Sequence, residues 1–526
     1  MQPPMLNARF CSFFAGAALV LALGGCASKA ERANDLYVKA QQLAQAGQVA
    51  EAKKELMRAT AIREDAPDIW FALGQLRLAS GELSEAFTAF ARADELRPGD
   101  ANTLRPLAYA GYMIGATRLA KDANDRLLAL DPADPQGLAI SGMLALDKGE
   151  PEATIEAADK ILSAAPGDQS GLLLKARAIA VQGRVDDAIA LLKNAPGTGE
   201  TKTGLDLALL QFYRARGDAA AMKSVFPALI DAQKTNAELA LDYANLLYRT
   251  GDIANARKVW TAAVLQRRDD AKFLAWAFEL FDDMEPDAKP VWLDARLTTL
   301  PASALRSAAG QYLILRKDYA AALALITQGK GAATADRGLQ ALALDGLGRR
   351  AEAQALVDAV LSETGSDQDP NALLLRARWA IPARQFDRAS ADAQTALLAD
   401  PSNLGARLVL AQSYAASQQP LRVRQVLAQA VRDLPRSRRA LVAYINFLQS
   451  QGDHDTAIAA SRNFADGNLS QPWAWATVMS SCQKVNDGGC VISAKKRYDM
   501  ALRDYSFTNP ARPFKVRGLF SPLPTS

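Results

Sequence analysis

The sequence predicts an all-α fold built from repeated helix pairs, and three features of its spacing support this. Apolar residues recur at intervals of three and four, which is the pattern of short amphipathic helices. Pro98, Pro132 and Pro166 stand where the second helix of a copy would end. A constant step of 34 residues, without insertion or deletion, separates Gly47, Gly81, Gly115, Gly149, Gly183, Gly217 and Gly251. A period of this length is typical of a repeat array.

Each copy is predicted to contain two helices joined at its glycine. A left-handed conformation at the end of the first helix costs a residue with a β-carbon about 1 kcal/mol or more, which favours glycine there. Small residues such as Ala40, Ala52 and Ala59 allow adjacent helices to approach closely. One copy cannot bury its apolar face alone, so neighbouring copies must stack.

The second copy, residues 67–100, carries the side chains of a known repeat. In order they are Trp70, Leu73, Gly74, Gly81, Leu83, Ala86, Phe90, Ala93 and Pro98. This copy closely resembles the tetratricopeptide repeat family, and only Arg77 departs from the family's pattern. The resemblance extends over residues 33–471. It implies an α-solenoid, a right-handed superhelix of about thirteen helix-turn-helix units with a C-terminal helical cap.

Residues 1–25 are predicted to be a lipoprotein signal peptide. Arg9 is followed by an apolar run over residues 10–23, which is too short for a bilayer span of about 20 residues but suits a secretory signal. The sequence Leu-Gly-Gly-Cys ending at Cys26 resembles the bacterial lipoprotein cleavage box. That resemblance implies a lipidated Cys26 as the first mature residue. The alternative is an ordinary signal peptide followed by a cysteine that occurs there by chance.

The residues after the lipidation site indicate where the anchor is sorted. Residues 26–32 are interpreted as a lipidated tether. Ala27 and Ser28 follow the cysteine, where enterobacterial sorting would read an aspartate, and this resemblance favours the outer membrane, with the protein facing the periplasm. Several acyl chains on one residue are enough for stable anchoring, where a single chain would be marginal.

The array is predicted to consist of two parts. Residues 33–270 form an N-terminal array and residues 303–471 form a C-terminal array whose phase is shifted. Between them, residues 271–302 are interpreted as a degenerate unit that bends the array, because Glu285 replaces the expected glycine and two prolines follow. This region is also rich in aromatic residues, which are either core or a partner-binding patch.

The C-terminal part of the chain is predicted to close the array. Residues 472–505 form capping helices, which a repeat array needs because its last apolar face has no neighbour. Cys482 and Cys490 flank a turn sequence and are predicted to form a disulfide worth about 2.6 kcal/mol. Residues 506–526 are a proline-rich extended tail that either docks on the last helices or stays free for a partner.

The sequence contains no constellation of catalytic residues, so the protein is not expected to be an enzyme. The chain has one histidine, His454, and this excludes HExxH zinc sites, which need two. His454 falls at a repeat position that is usually apolar, so it is expected to be a packed structural residue. Residues 197–203 lack the glycine that a phosphate loop needs before its lysine and are interpreted as a linker. No cofactor or metal is expected. The net charge of +4 without a basic block gives no sign of nucleic-acid binding.

The candidate binding residues come from the family resemblance. It implies that the first helix of each copy lines a concave groove and that the ninth residue of each copy points into it. This position-9 row consists of Gln41, Gln75, Tyr109, Met143, Arg177, Gln211, Asn245, Glu279, Gln311, Leu342, Arg378, Gln412 and Asn446. All except Met143, Glu279 and Leu342 are candidate partner-binding residues. Neighbouring candidates are Tyr37, Phe71, Arg105, Tyr112, Arg214 and Tyr248.

Two functions are compatible with these residues. Amide side chains donate and accept hydrogen bonds, so a row of them suits either the backbone of an extended peptide or the hydroxyls of a glycan. The first hypothesis is a lipid-anchored periplasmic scaffold that holds a protein partner. The combination of a repeat array and a lipid anchor is similar to that of lipoproteins of exopolysaccharide export and of pilus assembly. The alternative is a lipoprotein that binds polysaccharide directly.

Replacing Cys26 tests the predicted anchor. Cys26→Ser removes the thiol that would accept the lipid, so we expect the protein to move from the membrane pellet to the soluble fraction of the envelope. Immunoblotting after fractionation measures this. Cys11→Ser, inside the segment that the signal peptidase would remove, is the matched control and should leave the distribution unchanged. Retention of Cys26→Ser in the membrane pellet would exclude lipid anchoring through this residue.

Overall fold

The structure is a computed structural model, and it describes residues 28–284, 304–327, 336–363 and 369–507. Within these ranges every regular element is an α-helix, which confirms the predicted all-α class. None of the described helices combines the length and the apolar character needed to cross a membrane. The predicted signal peptide with Cys26, the proline-containing part of the predicted bend and the tail from residue 508 onward lie outside the described residues.

The contacts divide the chain into two compact units, and the division between them follows Phe212. Unit 1 contains the described residues up to Phe212, and unit 2 contains those from Tyr213 to Phe507. The division falls within helix α11 (Gly199–Arg216). The helices before it are α1 (Lys29–Gln45), α2 (Val49–Ile62), α3 (Pro67–Ala79), α4 (Leu83–Leu96), α5 (Ala101–Met113), α6 (Thr117–Leu130), α7 (Pro135–Lys148), α8 (Pro151–Ala164), α9 (Gln169–Val181) and α10 (Val185–Asn194).

Unit 2 continues the same series of helix pairs. Its helices are α12 (Ala219–Ala232), α13 (Ala237–Arg249), α14 (Ile253–Gln266), α15 (Ala271–Met284), α16 (Ala304–Leu315), α17 (Tyr319–Thr327), α18 (Arg337–Gly346), α19 (Arg350–Ser362), α20 (Pro370–Ala380), α21 (Phe386–Ala399), α22 (Leu404–Ala416), α23 (Pro420–Asp433), α24 (Arg438–Ser450), α25 (His454–Gly467), α26 (Pro472–Gln483) and α27 (Gly488–Asp504).

Two segments interpreted as irregular are helical. The described end of the predicted tether is the first turn of α1, because Ser28 and Glu31 form a reciprocal capping box. The string at residues 197–203, interpreted as a linker, is helix from Gly199 onward. Glu200 lies in the first turn, where its charge favours the helix, and Lys202 pairs with Asp206 one turn later.

The repeat period is visible in the helix caps as well as in the core. Many first helices of a pair begin after an acidic, amide or hydroxyl residue whose side chain accepts a backbone N–H, which satisfies one of the free donors of the helix start. These caps are Asp100, Asp134, Asp168, Asn236, Asp369, Asn403 and Ser437. The sequence carries this signal at the last position of these copies, next to the start of the following helix.

The turn within each pair keeps a left-handed residue even where glycine is lost. Gly47, Gly81, Gly115, Gly149, Gly183, Gly217 and Gly251 all have positive φ, between 68° and 85°. Arg384, Gln418, Gly452 and Asn486 continue the step of 34 residues and also have positive φ. The backbone geometry of the turn therefore persists in the second half of the chain, although the glycine signature does not.

The predicted cap is itself a helix pair in phase with the repeats. Helix α26 starts 34 residues after α24, and Asn486 takes the left-handed turn position. Cys482 lies in the last turn of α26 and Cys490 in the first turn of α27. The structure pairs them as predicted, with their Cα atoms 5.9 Å apart. The last repeat-like unit is therefore covalently closed at its turn.

The aromatic residues of the predicted bend belong mostly to the core of unit 2. Phe273, Phe278 and Phe281 of α15 are buried. The Trp260 indole packs edge-on against the Phe278 ring with centroids 5.2 Å apart, and its N–H donates to the carbonyl of Ala277 at 2.9 Å. Of the two interpretations left open by the sequence, the structure therefore favours core for these three side chains.

Equivalent turn positions in successive pairs provide a stability test. Gly452 has φ 73° with nothing within 4 Å of an added β-carbon, so Gly452→Ala should cost about 1 kcal/mol through backbone strain alone. Gln418, at φ 59° in the preceding pair, should show the opposite sign, and Gln418→Gly should raise stability by a similar amount. Urea midpoints from far-UV circular dichroism measure both changes. Equal signs for the two substitutions would contradict the shared geometry.

Candidate partner-binding surfaces

The position-9 row begins in unit 1 with two exposed amides. Gln41 on α1 and Gln75 on α3 are exposed, and they lie one repeat apart. Tyr37, one turn before Gln41, is half-buried and shares a hydrogen bond with it. Burial raises the pKa of the Tyr37 hydroxyl and the nearby Asp68 carboxylate adds to this rise, so the phenol stays protonated and able to donate. Phe71 holds the matching position on α3 and packs against Phe90 with ring centroids 5.8 Å apart.

The next first helices of unit 1 present more buried side chains. Tyr109 on α5 and Arg177 on α9 are half-buried, and Met143 on α7 is buried. Burial raises the pKa of Tyr109 and lowers the pKa of Arg177, although Tyr112 opposes the latter. The exposed part of the row in unit 1 is therefore on α1 and α3.

Two neighbouring candidates link consecutive repeats. The Arg105 guanidinium donates to the buried Asp134 carboxylate at 2.6 Å, and the Tyr112 hydroxyl donates to Asp147 at 2.9 Å. The first bond joins α5 to the residue that caps α7, and the second joins α5 to α7 itself, the first helix of the following repeat. These two side chains therefore stabilise the stacking of the repeats, in addition to whatever they bind.

In unit 2 the row is partly covered by the C-terminal segment, which we define as residues 501–507. The Asn245 amide on α13 donates to the carbonyl of Tyr505 at 2.9 Å, across 260 residues of sequence. One turn later, Arg249 donates to the carbonyl of Leu502 at 2.7 Å, and its guanidinium lies 4.9 Å from the Tyr505 ring centroid. The structure thus places Asn245, a predicted partner-binding residue, against the protein's own chain.

A buried carboxylate lies at the centre of this contact. Asp242 on α13 is fully buried and accepts from Arg214 at 2.7 Å, and the Arg214 side chain is only 4% exposed. Asp242 also accepts from the Ser506 hydroxyl at 3.1 Å and from the backbone N–H of Phe507 at 2.9 Å. These donors compensate the cost of burying the charge. Arg214, a candidate groove residue, is therefore committed to this ion pair.

Aromatic stacking completes the contact. The Phe507 ring lies 5.3 Å from the Trp276 ring of α15, and the Arg436 guanidinium lies 4.0 Å from the same indole. We call Asp242, Asn245, Arg249 and Trp276 together the receiving face. No sequence signal identified the receiving face, because α13 and the C-terminal segment that contacts it are separated by more than 200 residues.

An acidic cluster lies further along α15. Asp282 pairs with Arg316 and Arg439, and Asp283 pairs with Arg438. Burial raises the pKa of Asp283, and Arg438 works against this rise. Burial raises the pKa of Glu279 to about 7; its hydrogen bond to Ser437 lowers it, while the neighbouring aspartates raise it further. Helices α15 and α24 are therefore held together by charged groups of which one titrates near neutrality.

Apart from Gln211, which belongs to unit 1, the rest of the row lies in the later pairs of unit 2. Gln311, Arg378, Gln412 and Asn446 are exposed on α16, α20, α22 and α24, and Leu342 is buried. Gln211 on α11 is half-buried. His454 is half-buried in the first turn of α25. Across the described parts of the chain, no group of three or more His, Cys, Asp or Glu side chains is placed to hold a metal.

Stacked helix pairs with a left-handed residue in every described turn within a pair define a helical-repeat protein. The sequence model of the tetratricopeptide repeat family matches residues 37–101 and 141–200. These two segments are tetratricopeptide repeats, and the repeats of this family characteristically form scaffolds that bind other proteins. No curated protein matches the chain.

Several solved structures show partial likeness to the chain. A thermophilic TPR protein from Thermus thermophilus is 23% identical, with 35% of this chain and 99% of that chain covered and a TM-score of 0.32. A structure of Naa15/Naa10 bound to HypK-THB is 15% identical, with 90% of this chain and 78% of that chain covered and a TM-score of 0.27. The MamA protein is 21% identical, with 31% and 89% covered and a TM-score of 0.29. At these TM-scores the likenesses carry no argument about function.

Glu279 gives a pH-dependent test of the acidic cluster. Its folded-state pKa of about 7 lies above that of an unfolded glutamate, so the folded state loses stability as the pH rises towards and through 7. Glu279→Gln should therefore raise the free energy of unfolding at pH 8, by on the order of 2 kcal/mol, and change it little at pH 5. Urea midpoints at both pH values measure this.

The exposed Glu51 on α2 offers a matched control. Glu51→Gln should change the urea midpoint little at either pH. If Glu279→Gln shifts the midpoint equally at pH 5 and pH 8, the side chain does not titrate between them and the assigned pKa is wrong.

Proposed function

We propose that the protein is an outer-membrane-anchored periplasmic scaffold that holds an extended segment of a partner protein. The partner belongs to an envelope assembly or secretion machine, either exopolysaccharide export or pilus assembly. The observation that carries the binding role is the exposed pair Gln41 and Gln75, which stand one repeat apart with Tyr37 and Phe71 beside them.

Amide pairs at this spacing suit the backbone of a peptide. Each amide offers a donor and an acceptor, so each can bond the N–H and the carbonyl of an extended chain without demanding a particular side chain. The Tyr37 hydroxyl adds a donor, and the half-buried Phe71 ring adds apolar surface for a side chain of the partner. Polar clamps around apolar contacts are a common composition of peptide grooves.

The described contacts favour α1 and α3 over α11 and α13 for this role. In unit 2, Asn245 is already bonded to the C-terminal segment and Arg214 is bound to Asp242. Gln41 and Gln75 are instead exposed, so a partner can reach them without displacing part of the protein.

The proposed anchor agrees with the position of these residues. Helix α1 starts at Lys29, immediately after the short segment that would follow a lipidated Cys26. A lipid on Cys26 would therefore hold α1 close to the membrane surface, with Gln41 about three turns further along the helix. A partner in or near the outer membrane would be within reach of this end of the chain.

The double variant Gln41→Ala/Gln75→Ala tests the proposal. Each lost side-chain bond is worth about 0.5–1.5 kcal/mol, so partner capture from solubilised envelope membranes should fall at least about fivefold. The exposed glutamines Gln42 and Gln425, outside the row, provide the matched control double variant. Quantitative mass spectrometry of the captured proteins, together with the melting temperature of each variant, gives the measurement.

Two results would count against the proposal. Unchanged capture by a double variant that melts as the wild type does would show that the amide pair is not the binding site. Retention of the wild-type protein on purified polysaccharide, with no protein partner captured from membranes, would favour the glycan-binding alternative. The same amides and Tyr37 could bond sugar hydroxyls.

A further inference from the structure

The C-terminal segment lies on the receiving face in the manner of a bound peptide. We propose that the receiving face is a second peptide-binding site, for an extended partner segment in which a small hydroxyl residue precedes an aromatic one. Residues Tyr505–Phe507 occupy it as a resident ligand that competes with the partner. This inference rests on the proposed peptide-binding role of the first helices, and it adds the sequence preference and the competitor.

Most polar contacts to the segment reach its backbone. Asn245 bonds the Tyr505 carbonyl at 2.9 Å, Asp242 accepts the Phe507 N–H at 2.9 Å, and Arg249 bonds the Leu502 carbonyl at 2.7 Å. The Leu502 carbonyl belongs to the last turn of α27, whereas the contacts to Tyr505 and Phe507 reach backbone beyond the helix. Backbone contacts of this second kind bind a peptide whatever its side chains are.

Two side chains of the segment supply selectivity. Ser506 is fully buried and its hydroxyl donates to Asp242. Since Asp242 is itself buried and charged, a residue without a donor at this position would leave an oxygen of the carboxylate less well compensated. The Phe507 ring stacks on Trp276, which also contacts the Arg436 guanidinium. A hydroxyl followed by an aromatic ring is therefore the side-chain pattern that this face fits.

Residues 505–507 turn away from the axis of α27, the helix that precedes them. Helix α27 ends at Asp504, and Tyr505 adopts a left-handed conformation with φ 54°, which turns the chain away from the helix. Gly217 lets Arg503 approach, because a β-carbon there would lie 2.9 Å from the Arg503 β-carbon. The residues after Tyr505 then follow α13 without belonging to any repeat.

The segment's attachment to the chain explains why it occupies the face. A tethered segment has an effective concentration in the millimolar range, so it outcompetes a free peptide of equal intrinsic affinity. A partner with the same pattern binds when it is itself tethered nearby or present at high local concentration. The resident segment therefore excludes free peptides at low concentration, whereas a partner held in the same assembly can displace it.

A labelled peptide added to the full-length protein tests this inference. The peptide is fluorescein-labelled LRDYSFT, the sequence of residues 502–508. Phe507→Ala weakens the resident segment, so fluorescence anisotropy should show at least tenfold tighter peptide binding to this variant than to the wild type. The peptide LRDYSAT should bind at least tenfold more weakly than LRDYSFT. Adding Asn245→Ala to the variant should reduce binding at least fivefold.

Hydrogen exchange identifies whether the resident segment has opened. In Phe507→Ala, amides at the end of α27 and in residues 505–507 should exchange faster than in the wild type. Faster exchange without peptide binding would show that the contact is only a structural seam, and unchanged exchange would show that Phe507 does not hold the segment. Either result overturns the inference.

Two further variants keep the outcome decisive. If Phe507→Ala does not fold, Ser506→Asp replaces it. A carboxylate placed against Asp242 expels the segment by charge repulsion, and no apolar side chain is deleted from the protein. Peptide binding should be unchanged by Gln41→Ala/Gln75→Ala added to either opened variant. Failure of this inference therefore leaves the proposed site on α1 and α3 untouched, and failure of that site leaves this one untouched.

Discussion

The structure depends on the fact that a helix pair can bury its apolar face only against the next pair. Each pair is joined by a turn that needs one left-handed residue, and each stacks through small buried side chains such as Ala40 and Ala52. The left-handed backbone conformation of the turn is retained where the glycine is not, since Arg384 and Gln418 adopt this conformation. A turn fixed by stacking on both sides can accept a strained residue.

The same constraint leaves the last pair without a successor. Helices α26 and α27 keep the repeat phase, and a disulfide between Cys482 and Cys490 closes their turn. Polar groups at the end of this pair are satisfied by α13, through Asn245, Arg249 and Asp242. Side chains of the first helix α13 thus cap the end of the array. They lie at repeat positions whose equivalents in other pairs are exposed.

Binding and stacking therefore compete for the same kind of residue. Arg105, Tyr112 and Arg214 belong to groove positions by their place in the repeat, yet each bonds a carboxylate of the following repeat or pair. Gln41 and Gln75 remain exposed because no later part of the described chain covers them. Exposure separates the two roles, and repeat position alone does not.

The sequence by itself determined the all-α class, the period of 34 residues and the glycine turns. These are local properties, set by spacing within one copy or between adjacent copies. Only the tertiary structure decided that Asn245 faces Tyr505, that Asp242 is buried with Arg214, and that the glycine-free turns keep the left-handed conformation. The first two join residues from different copies, and no pattern within a 34-residue period encodes which copies meet. The third is imposed by the neighbours that stack on each turn.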